Sequence, residues 1–194
     1  MRVEKAIASI RLLPDSWVRL EEVRSLSTGF VLSFGIHKGR RGRRLDAWQI
    51  TCVRVHEAKI TALDGGGLAL YPGTHPAARQ RVARSAEVRW TGGSDEVVLT
   101  GALYRAHINA VDDWIPFDSY SDIESISKDK FALRGPDFLM RAYAKALRSL
   151  GKEPRVILRR SNRKAVRPKV LHFGDSYVVA DTFLAEQRVS PNFP

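Results

Sequence analysis

The chain has 194 residues, 44% of them hydrophobic, and carries 32 Lys and Arg against 21 Asp and Glu, a net charge of +11. This apolar content supports a packed core and excludes a purely disordered chain. The lone Cys52 excludes a scaffold stapled by internal disulfides.

In chain order, the first segment, "MRVEKAIASIRLLPDSW", is charged at Arg2, Glu4, Lys5 and Arg11. It lacks the apolar run of a signal peptide. No stretch reaches the ~18 apolar residues of a membrane span, so a cytoplasmic protein without membrane insertion is expected. The segment can supply a short N-terminal helix that Pro14 would end. In "FVLSFGI", Phe30, Leu32, Phe34 and Ile36 alternate as in a half-buried strand, and "AWQITCVRV" follows with Trp48, Ile50 and Cys52 on one face. The Gly-punctuated "HKGRRGRRL" between them makes a hairpin with a basic tip. Cys52 is expected as a buried thiol acting as a small apolar residue.

Further along, "LDGGG" reads as a turn and "LALY" as a short strand, and "HPAARQR" reads as a turn and short helix opened by Pro76. "AEVRW", "EVVLTGALYRAHI", "SKDKFAL" and "RVILRR" are expected strands, with "TGGSDE" a turn. The strongest element is a helix over 136–150. Pro136 and Asp137 suit its start, Gly151 its C-terminal cap, and Leu139, Tyr143, Leu147 and Leu150 one face. Arg141, Lys145, Arg148 and Lys152 form a stripe on the other face. The expected class is α+β: a single domain over 1–194, its predominantly antiparallel sheet packed on that helix, with a basic loop at 160–169 before a C-terminal strand or helix.

Charge is the main pointer to function. There are 23 Arg to 9 Lys, and arginine is the better residue for bidentate phosphate contact. Three basic groups stand out: Lys38, Arg40, Arg41, Arg43 and Arg44 at the hairpin tip; the helix stripe; and Arg159, Arg160, Arg163, Lys164, Arg167 and Lys169 late in the chain. Basic residues on a Gly-containing loop can follow a phosphate backbone, each neutralising one phosphate and releasing counterions. A nucleic acid or other polyanion, bound with low sequence specificity, is therefore the leading expected partner. The alternative is a protein–protein module, immunity- or antitoxin-like, with an acidic partner. The aromatic–acidic stretch "VDDWIPFDSYSDIE" supplies Trp114, Phe117 and Tyr120 as candidate contacts.

"VLHFGDSYVVADTFLAEQ" resembles the first sequence block of the GDSL (SGNH-type) hydrolases, in which a strand leads into Gly-Asp-Ser and the serine heads a helix. Gly174, Asp175 and Ser176 match by type over about twenty residues. The resemblance implies a flavodoxin-like fold and an esterase with Ser176 as nucleophile. Against it, the 18 residues after Ser176 contain no histidine, and no upstream histidine has an aspartate three residues before it. A serine needs a positioned base to be activated. Gly-Asp-Ser is also ordinary turn chemistry.

Asp46, Glu57 and Lys59 match a nuclease-like spacing, but one uninterrupted strand between them would hold the acids about 35 Å apart. The five histidines (37, 56, 75, 107 and 172) are spread singly, and no Cys or His pair has metal-ligand spacing. No metal, no cofactor and no catalytic residue is expected.

Overall fold

The computed structural model describes residues 3–11, 15–39, 42–61, 64–65, 67–92, 95–120, 130–159 and 167–188. It is a mixed α/β chain in which every described strand pair is antiparallel. Two compact units divide it. The first comprises Met1–Ala78 and Val166–Pro194, the second Arg79–Ala165.

The first unit holds α1 (Val3–Arg11), β1 (Ser16–Leu26), β2 (Gly29–Lys38), β3 (Arg43–Lys59), β4 (Asp64–Gly65) and β5 (Leu68–Tyr71), then β9 (Lys169–Phe173) and β10 (Ser176–Arg188) after the second unit. Its seven strands lie in the order β4-β1-β2-β3-β10-β9-β5. The alternation in β2 and β3 builds the core directly. Phe30 stands opposite Cys52, Leu32 opposite Ile50 and Phe34 opposite Trp48, while Phe183 and Ala185 of β10 continue the rows from the other side. Opposed residues in a ladder share a face, so these apolar rows coincide. Val3, Ala6 and Ile7 of α1, at helical spacing, are buried in the same cluster. Cys52 is wholly buried there, and burial pushes its thiol pKa up to about 12. It is an apolar filler, as expected.

Two features of this unit differ from the expectation. Strand β1 was not anticipated. Arg19, Glu21, Glu22 and Arg24 mask its apolar alternation, and most of it is exposed. The basic hairpin exists, but its strands run further than expected: Lys38 still pairs with Arg43.

The second unit holds β6 (Ser85–Thr91), α3 (Glu96–Val111), two short 3-10 turns (Asp112–Trp114 and Phe117–Ser119), β7 (Lys130–Pro136), α4 (Asp137–Ser149) and β8 (Arg155–Leu158). Helix α2 (Pro76–Val82) precedes β6 in the chain. The sheet order is β7-β6-β8. Ala86, Val88 and Trp90 of β6 form one core with Leu99 and Leu103 of α3 and Leu139, Tyr143 and Leu147 of α4. Helix α4 matches the predicted 136–150 helix to within a residue at each end. Gly151 closes it at φ 72°, with Lys152 N–H donating to Leu147 O at 3.0 Å.

The expectation of one long helix is corrected: among the described residues there are four helices, of which α1, α2 and α4 fall where helices were expected and α3 does not. The error lies in "EVVLTGALYRAHI", which is α3 and not a strand. Asp95 caps it, its carboxylate accepting from the backbone N–H of Val97 and Val98 at 2.8 and 3.2 Å. Leu99, Leu103, His107 and Val111 then recur at helical spacing on the buried side. The β-branched start, Val97, Val98 and Thr100, and an apolar content spread all round the helix disguise the period.

His107 is fully buried between the helices. Its Nε2 lies 2.6 Å from Ile115 O, which can only accept, so Nε2 carries the proton. Its Nδ1 therefore accepts from the Tyr143 hydroxyl at 2.8 Å. Burial pushes the Tyr143 pKa up, which keeps that hydroxyl a donor. Tyr143→Phe would leave Nδ1 buried without a donor, and should cost about 1–3 kcal/mol in urea unfolding. An unchanged midpoint would mean that the bond contributes nothing.

Candidate anion-binding face

A three-stranded sheet with helices on one side has a second side. In β6 Ala86, Val88 and Trp90 lie in the core with the helices, so by strand alternation Ser85, Glu87, Arg89 and Thr91 stand on the other side. Register then decides the neighbours. Arg134 of β7 and Ile157 of β8 stand directly opposite Glu87, and Arg155 stands opposite Arg89. Arg159 follows β8, and its N–H donates to Ser85 O at 2.9 Å, which extends the ladder by one position. Four arginines from three strands thus surround one glutamate.

Three of the four bind it. Arg89 Nε donates to Glu87 Oε1; Arg134 Nε and Arg159 Nη2 donate to Oε2 at 2.8 and 3.0 Å. The carboxylate is roofed by these side chains and only 2% exposed, whereas Arg89, Arg134 and Arg159 remain 57%, 64% and 51% exposed. A carboxylate cut off from water is costly unless it is paired and hydrogen-bonded. Here both oxygens are taken by charged donors. The Arg89 hydrogen bond first, against the opposing effect of burial, and then those of Arg159 and Arg134, hold the Glu87 pKa at about 2 instead of 4.5. Arg155 is exposed and makes no ion pair among the described residues.

Of the residues anticipated as anion-binding, Arg159 belongs to this face. Arg160, Arg163 and Lys164 lie outside the described residues, as do Arg40 and Arg41. At the hairpin, Lys38 is exposed at the end of β2, and Arg44 is tied to Glu21 at 2.8 Å. Arg43 is placed by its backbone pairing with Lys38. In the helix stripe Arg141, Lys145 and Arg148 are exposed, and Lys152 Nζ donates to Gly92 O at 3.1 Å. Trp114, Phe117 and Tyr120 pack on the core of the second unit. The Phe117 ring meets Tyr104, His107 and Tyr143 edge-on, and the Tyr120 hydroxyl donates to Gln80 at 3.2 Å.

Sequence reasoning missed Arg89, Arg134 and Arg155. The alternation of "SAEVRWT" carries the first, since Glu87 and Arg89 must share the polar face. Nothing local carries the second, because Arg134 and Arg159 come from 47 and 72 residues further on.

Ser176 is fully buried, and its Oγ accepts from the Thr61 N–H at 3.0 Å. Gly174, at φ 53°, and Asp175 form the turn between β9 and β10. The chain after Ser176 is a strand, not the helix that the hydrolase resemblance implies. Asp46, Glu57 and Lys59 all stand on β3. The histidines are less scattered in space than in sequence. His75 and His172 both meet the Tyr71 ring, at 4.7 and 6.1 Å between centroids, and burial lowers both pKa values. Asp181 takes His56 at 2.6 Å and Arg54 at 2.9 Å. Among the described residues no group of three or more His, Cys, Asp or Glu side chains could hold a metal ion, and no helix is long and apolar enough to cross a membrane. No protein-family model, no curated protein and no solved structure matches the chain.

The Glu87 carboxylate has a testable pH signature. Its folded pKa is depressed, so the stability it contributes is complete above about pH 4.5 and is lost as pH falls towards about 2. The stability difference between wild type and Glu87→Gln, followed by denaturant titration, should be constant at neutral pH and shrink through that window. A difference independent of pH would show that the arginines do not hold the ionised form.

Proposed function

We propose that this protein is a binding protein with no reaction of its own, which engages a polyanion, nucleic acid first, through the arginine face of the β7-β6-β8 sheet. One observation carries the reading: Glu87 gathers Arg89, Arg134 and Arg159 on one face while leaving each arginine side chain half exposed. Each guanidinium has five N–H donors, of which the carboxylate occupies one or two. The remaining donors face solvent in a held orientation. Ordering long side chains before binding reduces the entropy lost on binding. With Arg155 the face has a net charge of +3 from four arginines and one glutamate. Phosphate oxygens suit such donors, and contacts of this kind position a nucleic acid without reading its sequence. The exposed side chain of Ile157 adds an apolar surface at the centre. The hairpin residues Lys38, Arg40, Arg41, Arg43 and Arg44 are proposed as a separate basic patch of the first unit.

The test is fluorescence anisotropy with labelled single-stranded RNA and duplex DNA across a salt series. About three to four neutralised phosphates predict a log–log slope of roughly −3 on duplex DNA. Arg155→Glu is the informative variant, because Arg155 does not hold Glu87. It should weaken binding to every sequence alike and lower the slope by about one. Binding that is absent at low salt, or unchanged in Arg155→Glu, overturns the reading.

A further inference from the structure

Strand β1 forms an edge of the large sheet over residues 22–26. Strand β4 pairs with β1 only at Val18 and Arg19, and among the described residues nothing pairs with the outer side of residues 22–26. All five are exposed, with Val23 and Leu26 at 47% and 41%. An open edge is a row of unpaired backbone donors and acceptors, and charged side chains are the usual means of blocking its use. Here the charges do something more selective.

Glu22 stands opposite Ser33 of β2, Val23 opposite Leu32, and Arg24 opposite Val31. Glu22 and Arg24 therefore share one face of the sheet, flanking Val23, whose side chain lies on the core side with Leu32. Within the chain, Glu22 accepts a hydrogen bond from Ser33 Oγ at 3.2 Å. Among the described residues neither Glu22 nor Arg24 has an ion-pair partner. Two opposite charges thus stand unpaired on an open edge, two residues apart.

That pattern is self-complementary. In a two-fold antiparallel pairing centred on Val23, Glu22 of each copy lies opposite Arg24 of the other, on the same face, and the two Val23 side chains meet. Directly opposed side chains in such a ladder are about 4.5–5.5 Å apart at Cβ, within reach of an ion pair. The neighbouring registers are repelled. A centre on Glu22 sets carboxylate against carboxylate, and a centre on Arg24 sets guanidinium against guanidinium. We infer that this protein associates with a second copy of itself through the β1 edge, in the register centred on Val23. The β-bulge between Leu20 and Glu22 interrupts the regular strand on one side, and the two-fold centred on Val23 then limits the shared ladder to residues 22–24 of each copy, about three residues or roughly 10 Å. That is short for a permanent dimer, so the association is reversible and depends on concentration and salt.

Sedimentation velocity of the full chain, at low salt and at concentrations up to about 1 mM, tests this independently of any nucleic acid. The wild-type weight-average mass should rise with concentration towards that of a dimer. Arg24→Glu and Glu22→Arg should each raise the dissociation constant about tenfold or more. The double variant carrying both should return to within about threefold of wild type, because it rebuilds the same pairs in reverse. A wild type that stays monomeric throughout, single variants that associate like wild type, or a double variant no better than the singles would each overturn the inference. The double variant also separates loss of pairing from damage to the fold, since it contains both substitutions.

Discussion

Glu87 is a carboxylate roofed by three guanidinium groups, and the outer side of the second unit's sheet is organised around that contact. A charge kept from water is costly unless it is paired and hydrogen-bonded. It is stable because Arg89, Arg134 and Arg159 supply charged donors from three separate chain segments. The dependence runs both ways. Without the carboxylate nothing would gather the guanidinium groups, and like charges at that range repel. With it, three long side chains share one geometry, and the sheet face presents a patterned positive surface.

The same strand accounts for the other side of the unit. β6 alternates, so the residues that do not carry the arginine face, Ala86, Val88 and Trp90, are those that pack on α3 and α4. His107 and Tyr143 add a second buried polar device between the two helices. Both ring nitrogens of His107 are satisfied, one by a backbone carbonyl and one by the phenol. Helices fixed by packing and by this bond give the sheet a rigid backing. A rigid backing is what allows side chains on the far face to be held in place.

Much of the fold was legible where period and cap agree. Helix α4 shows its start, its stop and its apolar stripe in the sequence. Strands β2 and β3 show their alternation, and their rows meet in register as that alternation requires. Helix α3 was not legible, because β-branched residues at its start and apolar residues on every side erase the contrast that marks a helix. Strand β1 was not legible for the opposite reason. It is a sheet edge with mostly exposed side chains, so charge rather than hydrophobic alternation dominates its pattern. Of the described basic residues singled out by clustering along the chain, Arg159 is the one that stands with Arg89, Arg134 and Arg155. Clustering in sequence favours loops, whereas residues gathered across a sheet come from several strands and are not adjacent in the chain.

What the sequence determined by itself is therefore local and statistical: a strongly basic, arginine-rich chain with a real core, an antiparallel sheet and an amphipathic helix with its caps. These follow from composition and from periods of two and 3.6 residues, which each segment carries within itself. What the tertiary structure decided is which charges meet. Glu87 finds Arg134 and Arg159 through ladder register across 47 and 72 residues, and Glu22 and Arg24 stand unpaired because no strand covers that stretch of β1 among the described residues. Register and edge position belong to the assembled sheet, where the hydrophobic rows of several strands must coincide at once, and no single strand contains that information.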